Sequence, residues 1–324
     1  MGANLPAKKY KKSNPTQIRL SFEGSGEGTE FIDIGRALSA INRKFYRQGV
    51  YYYVNSVEVY NNETGVIDIH TLPDTWVTKN AWNRGFQLFQ KMNAMVDPPI
   101  SGIGRPKYHD FKVYMSNRHR TSGTLPPALH AINDNYITVN SDEWKYSEFV
   151  SADSDGDVTP GMQNEVIQEA DNFYVHMLGG HVGNQDNWQS VGLIKSYADS
   201  RRSVTGQATP ETSIEGTTNV DLADPLLNVF DFSTEEQMND IVENLLVDNN
   251  QPPYASLQYV GESESMQHVA RIGTEVGVGR VGRAAGFCAP FGLICIDPHG
   301  VQTAYRIVLN LAPGTYHGVY AERA

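Results

Sequence analysis

Residues 50–60 read VYYYVNSVEVY, and residues 65–72, which follow the turn-forming stretch NNETG (61–65), read GVIDIHTL. Both runs are rich in β-branched and aromatic residues, a composition typical of strands. Further runs of the same kind predict strands at 18–22, 111–115, 136–140, 145–150, 173–178, 189–197, 227–232, 255–260, 291–297 and 303–311. These strands are not separated by regular helices, which disfavours a parallel α/β sheet.

A few helices interrupt the strand pattern. Apolar residues at helical spacing predict helices at 31–49, ending at Gly49, and at 78–96, and two more are predicted at 161–173 and 233–249. Their apolar stripes are expected to pack on the sheets. The stretch at 200–225 is rich in Thr, Ser and Gly and predicts a long polar surface loop. The fold class that follows is mainly β: a single antiparallel jelly roll, or β-sandwich, with several helices inserted in loops.

The segment GVGRVG (277–282) matches the glycine pattern of dinucleotide-binding proteins, and Asp297 follows at about the distance of a ribose-binding acid. That chemistry requires a buried strand before the first glycine and a helix after the last one. Charged residues interrupt the preceding segment, and glycines and a proline fill the following one. The pattern therefore favours a glycine-rich loop between strands, with Arg280 and Arg283 on its surface.

No catalytic motif is present, so the sequence predicts neither an enzyme nor a cofactor. The two cysteines, Cys288 and Cys295, have no zinc-site spacing and form no disulfide framework. Three acidic residues, Asp153, Asp155 and Asp157, resemble the start of a calcium loop, but the required glycine and glutamate do not follow. They predict either a solvated acidic turn or calcium bound at a subunit contact. The longest apolar run, 284–296, is too short to cross a bilayer, so no membrane insertion is expected.

Positive charge is concentrated at the beginning of the chain. The formal net charge is −11, yet residues 1–22 hold five basic residues and no acidic one. We expect residues 1–17 to form a disordered basic arm that contacts nucleic acid, directs nuclear import, or does both. Residues 18–324 form the folded domain. The predicted nucleic-acid-binding residues are Lys8, Lys9, Tyr10, Lys11, Lys12 and Arg19.

Four stretches, at 31–54, 74–93, 190–201 and 311–322, resemble capsid proteins of small circular single-stranded DNA viruses that encode a rolling-circle replication initiator. An unclassified or bacilladnavirus-like member is the nearest description. The resemblance implies a jelly roll that assembles with copies of itself into an icosahedral shell and packages single-stranded DNA, often in the host nucleus. A host receptor is a further expected partner.

The arm departs from this family, because it carries four lysines where many relatives carry a long Arg-rich segment. The alternative function is a carbohydrate-binding or host-attachment jelly roll that stays a small oligomer.

Overall fold

The structure of the chain, a computed structural model, describes residues 16–26, 28–62, 64–96, 110–121, 129–132, 144–150, 172–184, 187–202, 261–274, 281–301 and 304–324. Along the chain the elements are β1 (Arg19–Gly24), β2 (Glu30–Asp33), α1 (Ile34–Asn42), β3 (Val50–Tyr60), β4 (Gly65–Thr71), α2 (Trp76–Val96), β5 (Tyr114–Ser116), α3 (Asn117–Arg120), β6 (Ala131–Ile132), β7 (Glu148–Val150), β8 (Asn172–Leu178), β9 (Val182–Asn184), β10 (Asn187–Gly192), α4 (Leu193–Arg202), β11 (Gln267–Thr274), β12 (Val281–Ala289), β13 (Leu293–His299), β14 (Tyr305–Leu311), β15 (Pro313–Tyr316) and β16 (Ala321–Arg323). The prediction of a mainly β chain with antiparallel sheets is confirmed.

Eight strands form two antiparallel sheets with nested pairing. The first sheet has the order β12–β3–β14–β1, extended by β6 beside β1 and by β16 beside β3, and the second has the order β11–β4–β13–β2. Counted along the chain, the first of these eight strands pairs with the last, the second with the seventh, the third with the sixth, and the fourth with the fifth. The chain therefore runs out and back along itself like one long hairpin.

The alternation of side chains in β3 fixes which face of the first sheet is buried. Val57 and Val59 are fully buried, whereas Glu58 points to the opposite face, as the two-residue period of a strand requires. Ile67 and Ile69 of β4 and Ile294 and Ile296 of β13 supply the matching face of the second sheet. The first core, defined as the buried cluster between these two faces, joins the two sheets.

A third layer covers the other face of the second sheet. It contains α2, α4 and a third sheet of order β5–β8–β10–β9 with β7 beside β8, in which β8 is parallel to both β5 and β10. The second core joins Phe31 and Leu293 of the second sheet to Trp82 of α2, Phe173 of β8 and Ile194 of α4. Because side chains of β2 and β13 alternate between the two cores, the second sheet lies between two apolar layers.

The first predicted helix is much shorter than expected. Residues 30–33 form β2, and α1 begins after Asp33, whose Oδ1 accepts a hydrogen bond from the Arg36 amide at 3.1 Å. The helix ends before Arg43, which has the left-handed φ of 52°. Gly49 is not its stop: a Cβ at Gly49 would overlap the Trp82 ring, so this glycine allows α2 to pack closely.

Buried polar groups hold the segment after α1 in place. Gln48, which is fully buried, donates from Nε2 to Asp33 Oδ2 at 3.0 Å and to the Val113 carbonyl at 2.9 Å. Its Oε1 accepts from the Val113 amide at 2.6 Å. The Gln48 side chain thus makes three buried hydrogen bonds, which agrees with the rule that buried polar groups have hydrogen-bond partners.

Several other predictions need correction. The strand predicted at 189–197 ends at Gly192, and α4 occupies the rest and continues over 200–202, where a loop was expected. The strand predicted at 291–297 starts at Leu293, after a 3-10 turn at Pro290–Gly292 in which Phe291 has a φ of 56°. The strands predicted at 111–115 and 145–150 begin only at Tyr114 and Glu148. The predicted strands at 136–140, 227–232 and 255–260, the helix at 233–249 and most of that at 161–173, and the loop beyond 202 lie outside the described residues.

Seven of the described strands were not predicted: β2, which lies inside the predicted first helix, and β6, β9, β11, β12, β15 and β16. β11 and β12 flank the glycine-rich segment, and β12 follows it as a strand and not as a helix. In the part of the chain that the structure describes, no helix is long and apolar enough to cross a membrane.

Candidate nucleic-acid interface

Of the predicted nucleic-acid-binding residues, the structure describes Arg19 alone; Lys8, Lys9, Tyr10, Lys11 and Lys12 lie outside the described residues. Arg19 opens β1, and its side chain is 59% exposed. Its Nη2 lies 3.2 Å from Glu58 Oε2 on β3, two strands away. Arg19 can therefore reach a phosphate only by sharing or leaving this carboxylate.

The point where the arm joins the fold is well defined. Thr16 donates from its hydroxyl to the His317 carbonyl at 2.9 Å and accepts from Lys44 Nζ at 2.9 Å. The Gln17 amide donates to Asn42 Oδ1 at 2.7 Å, and Asn42 Nδ2 donates back to the Gln17 carbonyl at 3.0 Å. Thr16 and Gln17 are thus fixed beside Lys44 and Asn42, at the end of the first sheet where β1 starts.

The outer face of the first sheet carries arginines and glutamates in alternation. Arg306 Nη2 donates to Glu23 Oε1 at 2.7 Å, and Arg283 Nε lies 3.8 Å from Glu58 Oε1, so Glu58 faces both Arg283 and Arg19. The arginines of the two Glu58 pairs are 59% and 73% exposed, and pairs at the protein surface contribute little to stability and are screened by salt. The face therefore carries one more positive than negative charge among these five groups.

A cluster of histidines and aspartates lies on the second sheet. Asp68 of β4 accepts two hydrogen bonds at 2.8 Å from Arg271 of β11, and its oxygens lie 3.3 Å from His268 Nε2 and 3.4 Å from His299 Nε2. His299 Nε2 also lies 3.5 Å from Asp297 Oδ2. These contacts tie three neighbouring strands together.

The electrostatics of this cluster centre on Asp68. Hydrogen bonds from Arg271 hold the pKa of the Asp68 carboxyl well below its usual range. Burial lowers the pKa of His70, and the neighbouring His268 lowers it further. Within the described ranges, no three His, Cys, Asp or Glu side chains are arranged to hold a metal ion.

The cluster was missed by sequence reasoning, although a signal exists. The tripeptides DIH (68–70) and DPH (297–299) repeat Asp-x-His, and a strand places residues two apart on one face. Asp68 and Asp297 are opposite one another in the pairing of β4 with β13.

A serine and a histidine meet in the third sheet but are fully buried. Ser190 Oγ lies 2.6 Å from His176 Nδ1, and His176 Nε2 lies 3.1 Å from the Gly180 carbonyl. Because a carbonyl only accepts, Nε2 carries the proton and Ser190 donates to Nδ1. Burial lowers the pKa of His176 to about 3, so the ring is neutral. This geometry orients the histidine and gives a substrate no access to the serine.

The remaining predicted sites divide between described and undescribed residues. Asp153, Asp155 and Asp157 lie outside the described residues, as do Gly277 and Arg280. Strand β12 starts at Val281, so the helix N-terminus that a pyrophosphate needs is not at this position. Both cysteines are free thiols, and burial raises the pKa of Cys288 to about 11 and that of Cys295 still further.

Comparisons of the chain with protein-family models, with curated proteins and with solved structures find no match.

Proposed function

We propose that the chain is the subunit of a viral capsid: a jelly roll that assembles into an icosahedral shell and packages single-stranded DNA. The observation that carries the proposal is the nested pairing of eight strands in two antiparallel sheets. A jelly roll is a long antiparallel hairpin wrapped into two four-stranded sheets, and it is a common fold of viral capsid proteins. The orders β12–β3–β14–β1 and β11–β4–β13–β2 are those that this wrapping produces.

The packing of the sheets supports the same assignment. The apolar faces of the two sheets enclose the first core, as the facing sheets of a sandwich do. A segment of the chain between β4 and β11 supplies the third layer, which fits a jelly roll with helices inserted in its loops. The resemblance of four stretches to capsid proteins points in the same direction.

The charge distribution supports a role for the arm. The body of the chain has a net negative charge, whereas the arm carries Lys8, Lys9, Lys11 and Lys12. Thr16, at the described end of the arm, accepts a hydrogen bond from Lys44. Lysines neutralise phosphates without reading sequence, and Tyr10 can stack on a base. The partners in this proposal are copies of the chain, a single-stranded genome and a host receptor, and the locations are the virion and the host nucleus during assembly.

Electron microscopy of the purified full-length protein tests the proposal. Uniform closed particles tens of nanometres across are expected, and nucleic acid extracted from them should be degraded by a nuclease specific for single strands. A protein that stays a monomer or trimer over a range of concentration and salt would overturn the shell and favour the alternative, a carbohydrate-binding or host-attachment module. Saturable binding of a dinucleotide would instead indicate an enzyme.

A further inference from the structure

The pair of helices over the second core is basic, although the chain as a whole is acidic. In sequence, α2 contains Lys79, Arg84 and Lys91 and no acidic residue, while α4 contains Lys195, Arg201 and Arg202 with one acidic residue, Asp199. The two helices pack against each other. Asp199 is buried and accepts a hydrogen bond from Lys195 Nζ at 2.8 Å, so its charge is neutralised within the layer.

An exposed aromatic platform lies where the two helices meet. Trp76, at the start of α2, is 41% exposed. The Arg201 guanidinium lies 4.9 Å from the centre of the Trp76 ring, and the Tyr197 ring meets Trp76 edge-on at 6.3 Å. We call Trp76, Tyr197, Arg201 and Asn80 the Trp76 platform.

Polar contacts hold the platform in one arrangement. Tyr197 Oη accepts hydrogen bonds from Asn80 Nδ2 at 3.2 Å and from Arg201 Nη1 at 3.5 Å, which joins the two helices. A cation over an aromatic face is attractive and orients both groups. The platform is therefore ordered before a ligand arrives, which reduces the entropy cost of binding.

Besides Asp199, two acidic side chains among the described residues pair with lysines of the two helices. Asp74 lies 3.8 Å from Lys79, and both side chains are about half exposed; Glu262 lies 4.0 Å from Lys195. Because exposed pairs are weak and screened by salt, Lys79 can exchange Asp74 for a phosphate. Lys79 also lies 4.6 Å from the centre of the Tyr51 ring, so a second cation stands over an aromatic ring close to the platform.

Aromatic faces combined with cations are the chemistry that binds single-stranded nucleic acid without sequence preference. Unpaired bases stack on the rings while lysines and arginines contact the backbone. A duplex keeps its bases stacked internally and cannot use Trp76 in this way.

We propose that the Trp76 platform and the neighbouring Lys79 of α2 form a second surface for single-stranded nucleic acid, separate from the N-terminal arm. This inference rests on the proposed function. It adds that the folded part of the chain, as well as the arm, contacts DNA. The platform lies in the third layer, whereas the arm leaves from the first sheet, so the two surfaces are distinct.

Binding of a fluorescent dT20 oligonucleotide to protein lacking residues 1–15 tests this surface without the arm. Anisotropy at a series of NaCl concentrations gives the affinity and its salt slope. We expect measurable binding, and Trp76→Ala should weaken it roughly 5- to 150-fold, the range expected for the loss of one stacked base. Arg201→Gln should reduce the salt slope by about 0.7, the value for one phosphate contact on a single strand.

Matched controls come from the first sheet. Tyr320 is another exposed aromatic residue, 42% exposed, and Arg283 is another exposed arginine. Tyr320→Ala and Arg283→Gln should leave dT20 binding in the arm-deleted protein unchanged. All variants should first show the thermal unfolding curve of the parent.

Three results would overturn the proposal: no dT20 binding by the arm-deleted protein at low salt, equal effects of Trp76→Ala and Tyr320→Ala, or equal affinity for dT20 and a duplex. Particle formation is scored separately by electron microscopy. If the protein binds dT20 through Trp76 but never forms particles, the proposal of this surface stands and the proposed shell function is wrong. If the arm-deleted protein does not bind dT20 and Trp76→Ala abolishes particle formation, the platform is a contact between subunits and not a nucleic-acid surface.

Discussion

Asp33 is a residue whose role depends on its ionisation. It caps α1 through the Arg36 amide and also accepts from Gln48, so the carboxylate has partners. Burial nevertheless dominates and raises the pKa of Asp33 from 3.8 to about 6. In the folded chain this carboxyl binds its proton more tightly than in the unfolded chain. Its contribution to the free energy of unfolding is therefore largest below about pH 4 and falls as the pH rises to about 6.

The variant Asp33→Asn tests this linkage, because asparagine keeps the cap without a titrating group. Relative to the variant, the wild type should lose up to about 3 kcal/mol of unfolding free energy between pH 4 and pH 7, since each pKa unit corresponds to about 1.4 kcal/mol. Urea unfolding of both proteins at several pH values measures the difference. Asp74→Asn, at an exposed carboxyl, gives the background, and parallel curves for wild type and Asp33→Asn would contradict the assignment.

At the scale of elements, the close approach of β12 to β3 requires a glycine at Gly286. Gly286 lies in β12 against β3, and a Cβ there would be 2.6 Å from the Asn55 carbonyl oxygen and closer still to that of Val54. Any side chain at this position would push β12 away from β3. Gly273 of β11 offers the contrast, because a Cβ there would meet nothing within 4 Å.

Gly286→Ala should therefore lower the free energy of unfolding by about 1–3 kcal/mol, the cost of forcing extra atoms into a packed site. Gly273→Ala should be neutral or raise it by up to about 1 kcal/mol, because alanine reduces the freedom of the unfolded chain. Urea midpoints of the two variants, measured side by side, check both expectations. Equal effects would mean that β12 does not approach β3 closely at Gly286.

Local composition predicts some of these elements well and hides others. β3, β4, β8 and β14 are rich in β-branched and aromatic residues and lie close to their predicted positions. In β11 the pairing with β4 shifts between His268 and Ala270, and this bulge breaks the alternation that identifies a strand. The residues of α4 include Ile194 and Tyr197, which favour a strand locally, whereas their packing in the second core requires a helix.

The candidate sites were predictable only where charge is contiguous in sequence. The lysines of the arm are visible in the sequence. Asp68 meets His268 and His299 through strand pairs that span more than half of the chain, which no local pattern encodes. The Trp76 platform likewise requires α2 and α4 to be adjacent, and their packing is a property of the folded second core.

For the whole molecule, the arm and the fold are separable. Thr16 and Gln17 make the first contacts that the structure describes, so a deletion that ends at Pro15 keeps the bonds to His317 and Asn42. We expect this deletion to leave the thermal unfolding temperature unchanged.

If the chain forms the proposed shell, the same deletion should yield particles with less nucleic acid. Its salt slope for single-stranded DNA should fall by at most about 3, because four lysines are removed at about 0.7 each. Replacing the four lysines by glutamine keeps the length of the arm and should have the same effect. Absorbance ratios of purified particles measure the content, and full DNA content in the deletion would restrict the arm to import or to subunit contacts.

The nested pairing of strands also sets when the chain can fold during synthesis. β1 leaves the ribosome early, yet its partner β14 is only made at Tyr305–Leu311. At 5–20 residues per second, β1 waits roughly 15 to 60 s for that partner. A chain that stops before Tyr305 leaves both β1 and β3 without the strand that joins them. An incomplete chain therefore exposes open strand edges, the form that cellular quality control removes.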